Sequence, residues 1–304
     1  MVLGIFASAV MAAEIDTEVI DEKWGKPTFA YGAALDEKSL EETMKKLDIK
    51  NKDNVNFVKV DAGDLKKYLG GETSDSNMIS SILVKKENKG HGVKVIIETP
   101  ENISQVKDVQ YANAAITAGV SDATIMVAAY KPVTGEAALT GVYKAFEANG
   151  DALEEDRIEV ANEELETVNG IVQEHKDEEG FSSEELNKAI VDIKESLIEL
   201  KKKTGDLATR EEIEEIINKA LKDYDLDKVV SQINIDKLVV FFNNFQNTSA
   251  IDSDAILKQL NELGDNLKET IGNYYQQAQE SGFLDKLADF FRSVGQAIMN
   301  LFSR

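Results

Sequence analysis

Ser104 and Lys107 stand at Ser-x-x-Lys spacing, and Lys203-Thr204-Gly205 follows downstream. Penicillin-binding serine enzymes use both motifs, with the Lys-Thr-Gly on a strand beside the nucleophilic serine. Here the Lys-Thr-Gly falls where a helical pattern stops, and no middle motif of that set lies between the two. A serine acyl-transfer mechanism is therefore not expected. Asp223-Tyr224-Asp225-Leu226-Asp227 opens like a calcium loop. Lys228 then fills the sixth position, where glycine makes the turn, and Asn234 the twelfth, where a bidentate glutamate closes the site. The stretch reads as a solvated acidic helix start. His91, between Gly90 and Gly92, is expected at an exposed hairpin tip, and His175 in an acidic linker. Neither has a second histidine nearby with which to hold a metal or relay a proton. There is no cysteine, hence no thiolate nucleophile, disulfide or cysteine-rich zinc site. Phosphate-cradling glycine loops are also missing. No catalytic residue, metal or cofactor is expected.

Over 304 residues, 34 Lys and Arg face 56 Asp and Glu, a formal net charge of −22. A chain so acidic is a poor partner for nucleic acid, whose binding releases counterions to a basic surface. Charge and proline divide the chain in a similar place. Residues 1–150 carry 22 acidic and 17 basic side chains, residues 151–304 carry 34 and 17, and all three prolines (Pro27, Pro100 and Pro132) lie in the first part. Proline ends helices, so 172 residues without one favour helix after helix.

The first part changes period repeatedly. Pro27–Leu35 reads as a strand running into a helix from Asp36, and Asn54–Val60 alternates like a second strand before a short helix over Asp61–Leu69. Met78–Lys85 and Val93–Thr99 are β-rich runs around Gly90-His91-Gly92, so a hairpin is expected. A helix over Asn102–Ala118, a strand over Asp122–Ala129 and a helix over Thr134–Ala148 complete an α/β layer unit, residues 14–150, with helices covering a sheet.

Residues 151–304 keep a helical period. Ser182 with Glu185, and Thr209 with Glu212, are capping boxes. Leu186, Ile190, Ile193, Leu197 and Leu200 step as a bundle seam, as do Ile213, Ile216, Ile217 and Leu221, and later Ile256, Leu260, Leu263, Leu267, Ile271, Tyr274 and Ala278. The fold class is α+β: an N-terminal mixed α/β layer domain, then an acidic, all-helical, bundle-like region.

Both ends carry apolar segments. Met1–Ala13 is too short to span a bilayer and reads as the core and cleavage region of a secretory signal cut before Ala13, although no basic residue precedes it. Near the other end, Phe283, Leu284, Leu287, Phe290, Phe291, Val294, Ile298, Leu301 and Phe302 fall within about 120° of a helical wheel. An amphipathic helix over 283–302 is therefore expected, its apolar face meeting the bundle, a membrane surface or a partner.

Four stretches together carry a family likeness: AYGAALDEKSLEE at Ala30–Glu42; YLGG at Tyr68–Gly71; ISSILVK with GHGVKVIIETPENISQV; and YANAAITAGVSDATIMVAA at Tyr111–Ala129 with VTGEAALTGVYKAFE at Val133–Glu147. In order and spacing this series resembles the YpuA-like family of Gram-positive bacteria, a domain of unknown function. The resemblance covers about Phe29 to Glu147 and continues more loosely beyond. Where that family is expected to have Ser-Gly-Thr, this chain has Thr134-Gly135-Glu136. The resemblance implies export to the cell envelope and brings no catalytic residues. The expected function is a non-enzymatic module that binds a protein or a cell-wall component at the envelope. The competing reading is an envelope hydrolase, or a regulator of cell-wall enzymes, with the Gly, Thr and Tyr residues of Tyr130–Tyr143 lining a cleft.

Overall fold

A computed structural model describes residues 24–135 and 137–271. The segments 1–13 and 283–302, with all nine residues of the expected amphipathic face, lie outside the described residues.

Five strands, β1 (Thr28–Gly32), β2 (Asn56–Val60), β3 (Ser81–Lys86), β4 (Val93–Ile97) and β5 (Ala123–Ala128), form one mixed sheet in the order β2-β1-β3-β5-β4. β1 and β2 are parallel, joined through helix α1 (Glu37–Lys46), while β4 and β5 are parallel and joined through α3 (Asp108–Ala118). The antiparallel pairs are β1 with β3 and β3 with β5.

The expected hairpin is therefore absent. The turn at Gly90–Gly92 exists, but β5 lies between β3 and β4. Burial explains the order: all six residues of Ala123-Thr-Ile-Met-Val-Ala128 are buried, as suits an interior strand, whereas β4 carries the exposed Lys94 and takes the edge. Asp122 fixes the turn against β5, its Oδ1 accepting N–H bonds from Gly90 at 2.8 Å and Gly92 at 3.2 Å. Burial raises the Asp122 pKa, but those donors and the Gln259 amide outweigh it and hold the carboxyl below its ordinary value.

Two helices start later than their patterns suggest. α3 begins at Asp108 because 102–107 is a turn and a bend held by the bridge from Ile103 to Val133, and α4 (Ala138–Ala148) begins after Gly135, whose φ is +101°. One sheet face carries Phe29, Leu83 and Met126 under Met44 and Leu47 of α1 and its flank. The other carries Ala30, Ile82, Val84, Ile125 and Val127 under α3 and α4, with α2 (Ala62–Leu69) packed on α4.

From Glu155 onward the described residues are helical: α5 (Glu155–His175), α6 (Ser183–Thr204), α7 (Arg210–Asp223), α8 (Gln232–Gln246) and α9 (Asp254–Ile271), with a 3-10 turn at Ser249–Asp252. The caps are where the sequence puts them. Ser182 Oγ accepts from Glu185 N at 3.2 Å, Thr209 and Glu212 form the reciprocal box, and Gly205 ends α6 at φ +81°. That end also places Lys203-Thr204 on a helix, not on a strand. The first two seams are buried throughout, and so are Ile256, Leu260, Leu263 and Leu267 of the third; Tyr274 and Ala278 lie outside the described residues. A single apolar core runs from the sheet through α3 and α5 into the bundle.

That core contains charges. Lys194 Nζ, fully buried, lies 2.6 Å from Glu164 Oε1, 2.5 Å from Asn113 Oδ1 and 3.1 Å from Thr117 Oγ1, joining α6, α5 and α3. Lys188 pairs with Asp192 inside α6, and Tyr224 Oη donates to Asp192 at 2.6 Å.

Candidate functional site

Neither histidine stands where its sequence context suggests. His91 is half-buried, a ring nitrogen 3.2 Å from Thr124 Oγ1, because the turn folds back on β5. His175 ends α5 and is 4% exposed, its ring against Phe181 and its Nε2 2.9 Å from Asn234 Nδ2. The imidazole turns into the bundle, while the half-exposed Glu174 and Glu178 reach back to it, Glu178 Oε1 lying 3.0 Å from Nδ1. Among the described residues no group of three His, Asp or Glu side chains is placed to hold a metal ion. Ser104 and Lys107 are exposed on the irregular segment before α3. The Tyr130–Tyr143 run is packing for most of its length: Leu139, Thr140, Val142 and Tyr143 are buried, and the Gly135 carbonyl accepts from Tyr111 Oη at 2.6 Å.

Two clefts instead flank residues 149–154, the connection from α4 to α5, and both are lined by Ala152 and Leu153. Gly150, at φ +84°, turns the chain out of α4. Asn149 Nδ2 donates to Ala145 O at 2.7 Å and to Thr28 Oγ1 at 2.8 Å, which ties the connection to β1. Just before β1, Trp24 Nε1 donates to Asp151 Oδ2 at 3.0 Å, and its ring meets Phe146 edge to face with centroids 4.8 Å apart. On the far side Lys86, the last residue of β3, sets its ammonium 4.9 Å from the Phe146 ring centroid. It donates to Ser121 O at 2.6 Å, with Ser121 Oγ 3.3 Å away. These groups, with Gly119, line an open cleft of about 600 Å³.

The second cleft, about 470 Å³, lies between α2, α4 and the start of α5. Glu147 receives the Lys67 ammonium at 2.7 Å on each oxygen and the Tyr68 hydroxyl as well. The lysine first and the tyrosine second hold its carboxyl below the ordinary value. Burial, reinforced by Glu147, pushes the Tyr68 phenol up. Asn162 bridges the rear, donating to Tyr68 O at 2.6 Å and accepting from Tyr143 Oη at 3.2 Å.

Ser121 and Lys86 form a hydroxyl–amine pair, the kind a lysine base uses to activate a serine. A base must shed its proton, which needs surroundings that disfavour the cation. Lys86 makes its shorter hydrogen bond to a carbonyl oxygen, not to the hydroxyl, and an aromatic ring lies by its ammonium. Glu147 is kept ionised by its partners and Tyr68 is kept protonated, so neither is poised to exchange a proton near neutrality. Sequence reading missed the first cleft because Trp24, Lys86, Ser121 and Phe146 come from four separate segments, and of the run Tyr130–Tyr143 only Tyr143 lines the second. The available signal was the single tryptophan of the chain, close before the first strand.

Residues 31–263 match the family model described as a protein of unknown function (DUF1002). The chain is 33% identical to the "Uncharacterized protein YpuA" of Bacillus subtilis (strain 168), over 99% of its own length and 98% of that protein. No solved structure matches it. The likeness carried by Ala30–Glu147 thus extends over nearly the whole chain, which belongs to the DUF1002 family of proteins of unknown function.

Proposed function

We propose that the protein is an exported cell-envelope module that binds a cell-wall component or a protein there without catalysing a reaction. The observation that carries this reading is the contact set of Lys86, the amine beside a hydroxyl in the larger cleft. Its ammonium is engaged by the Ser121 carbonyl oxygen and the Phe146 ring more closely than by the Ser121 hydroxyl, a geometry that supports binding over a serine-lysine hydrolase. The signal-like Met1–Ala13 supports export, and the similarity to a Bacillus protein suits a Gram-positive envelope. The apolar arc of 283–302 offers a further surface for the bundle, a partner or a membrane.

Fractionation of producing cells tests this reading. Mature protein in the envelope or medium, beginning at or near Ala13, is the expected result. Full-length chain confined to the cytosol with Met1 intact contradicts it.

A further inference from the structure

The geometry points to the cleft at Trp24 as a site for an uncharged oligosaccharide, bound by its pyranose rings. This inference rests on the binding-module reading and names the ligand class. The cleft volume, about 600 Å³, lies within the roughly 300–1,000 Å³ usual for small-molecule sites.

Its walls combine two kinds of surface. Trp24, only partly buried, supplies the aromatic surface, and the buried Phe146 ring backs it edge to face. Around them stand groups that hydrogen-bond in several directions: the Asn149 amide, the Ser121 hydroxyl, the Lys86 ammonium and the Asp151 carboxylate, one oxygen of which takes the indole N–H. A pyranose ring presents the matching surface, an apolar face of C–H groups within a rim of hydroxyls that both donate and accept. Aromatic side chains with a polar handle suit ligands that are apolar on one side and wet on the other.

Charge narrows the class. The walls hold one cation and one anion, so they offer no net field to a charged ligand. The cation is already bonded to a main-chain carbonyl, and the chain around it is at −22. A polyphosphate or other polyanion would meet repulsion without a compensating cluster of lysines. A flat, purely apolar ligand would strip water from Asn149, Ser121 and Asp151 without replacing their hydrogen bonds.

Trp24 is the sole tryptophan, so its fluorescence reports this cleft alone. The test titrates the full chain with chitotetraose, cellotetraose and maltotetraose, followed by Trp24 emission and by calorimetry, with polyphosphate as the charged comparison. A saturable emission change with at least one neutral tetrasaccharide, and none with polyphosphate, is expected. Trp24→Ala should weaken calorimetric binding about tenfold, the equivalent of about 1.4 kcal/mol. Asp151→Asn, which keeps the side-chain shape, should weaken it while leaving the melting temperature within a few degrees of wild type. Silence from all three sugars, a response to polyphosphate alone, or full affinity in both variants overturns the assignment. If the chain pellets with purified cell walls yet ignores every tetrasaccharide, the glycan assignment falls and the binding-module reading stands. If it does neither, both fall.

Discussion

Lys194 of α6 and Glu164 of α5 meet 2.6 Å apart, with side chains 0% and 2% exposed. Burial presses the lysine pKa down and the Glu164 carboxylate opposes that. The pair also draws in Asn113 and Thr117 of α3, the helix that covers the sheet. Strand-bearing and helical parts are thus joined by a satisfied polar contact set within their shared core.

Removing one member leaves the other as an unpaired buried charge. Lys194→Met should destabilise the protein by about 3–5 kcal/mol, whereas the double variant Lys194→Met with Glu164→Leu should recover most of that loss. Urea unfolding of the four proteins of the cycle measures both.

Glu195, 9% exposed, is pushed up to about 7 by burial first and by Asp192 and Glu199, against the pull of Lys188 and Lys268. A carboxyl raised above its unfolded value of 4.5 holds its proton longer in the folded chain. Its contribution is therefore fully present below about pH 4.5 and is lost as pH rises toward 7, by up to about 3 kcal/mol. Glu195→Gln should flatten that fall. Comparison of wild-type and variant stability between pH 5 and pH 8 reads the difference directly.

Gly32 closes β1 against the Met78 main chain, and a Cβ there would stand far inside van der Waals contact with the Met78 carbonyl oxygen. Both sides of that clash are backbone or fixed to it. Gly32→Ala should cost about 3 kcal/mol or more, seen as a lowered melting temperature. The open Gly170 position, where a Cβ meets nothing within 4 Å, serves as the control.

The apolar arc of 283–302 leads to a deletion of Ser281–Arg304. With three cations to two anions over Phe283–Arg304, the segment lacks the basic clusters that anionic lipids reward, so packing on the bundle is the expected outcome. The truncated chain should melt earlier, with liposome binding absent in both forms. Lipid binding that vanishes with the fold intact would assign the segment to a membrane surface.

α6, α7 and α9 were legible because each repeats a short apolar step, and α6 and α7 also state their own ends. Leu186 to Leu200, Ser182, Thr209 and Gly205 are local signals and needed no partner to be read. Strand order was not legible: nothing within Val93–Ile97 says that a strand thirty residues later will separate it from Ser81–Lys86. The buried lysines escaped for a related reason. Lys188 and Lys194 look like surface positions on an amphipathic helix, but α7, α9, α3 and α5 pack around α6 and leave it little solvent face. The clefts were illegible because long-range folding creates them, bringing Trp24 to Asp151 across 127 residues.

The most direct test of the central claim is co-sedimentation of the full chain with purified Gram-positive cell walls, with reducing ends counted in the supernatant. Binding without cleavage predicts that the protein pellets with the walls, releases no reducing ends above the wall-only level, and is displaced by a tetrasaccharide that alters Trp24 emission. Protein that stays in the supernatant, or walls that release sugar on contact with it, would contradict the account.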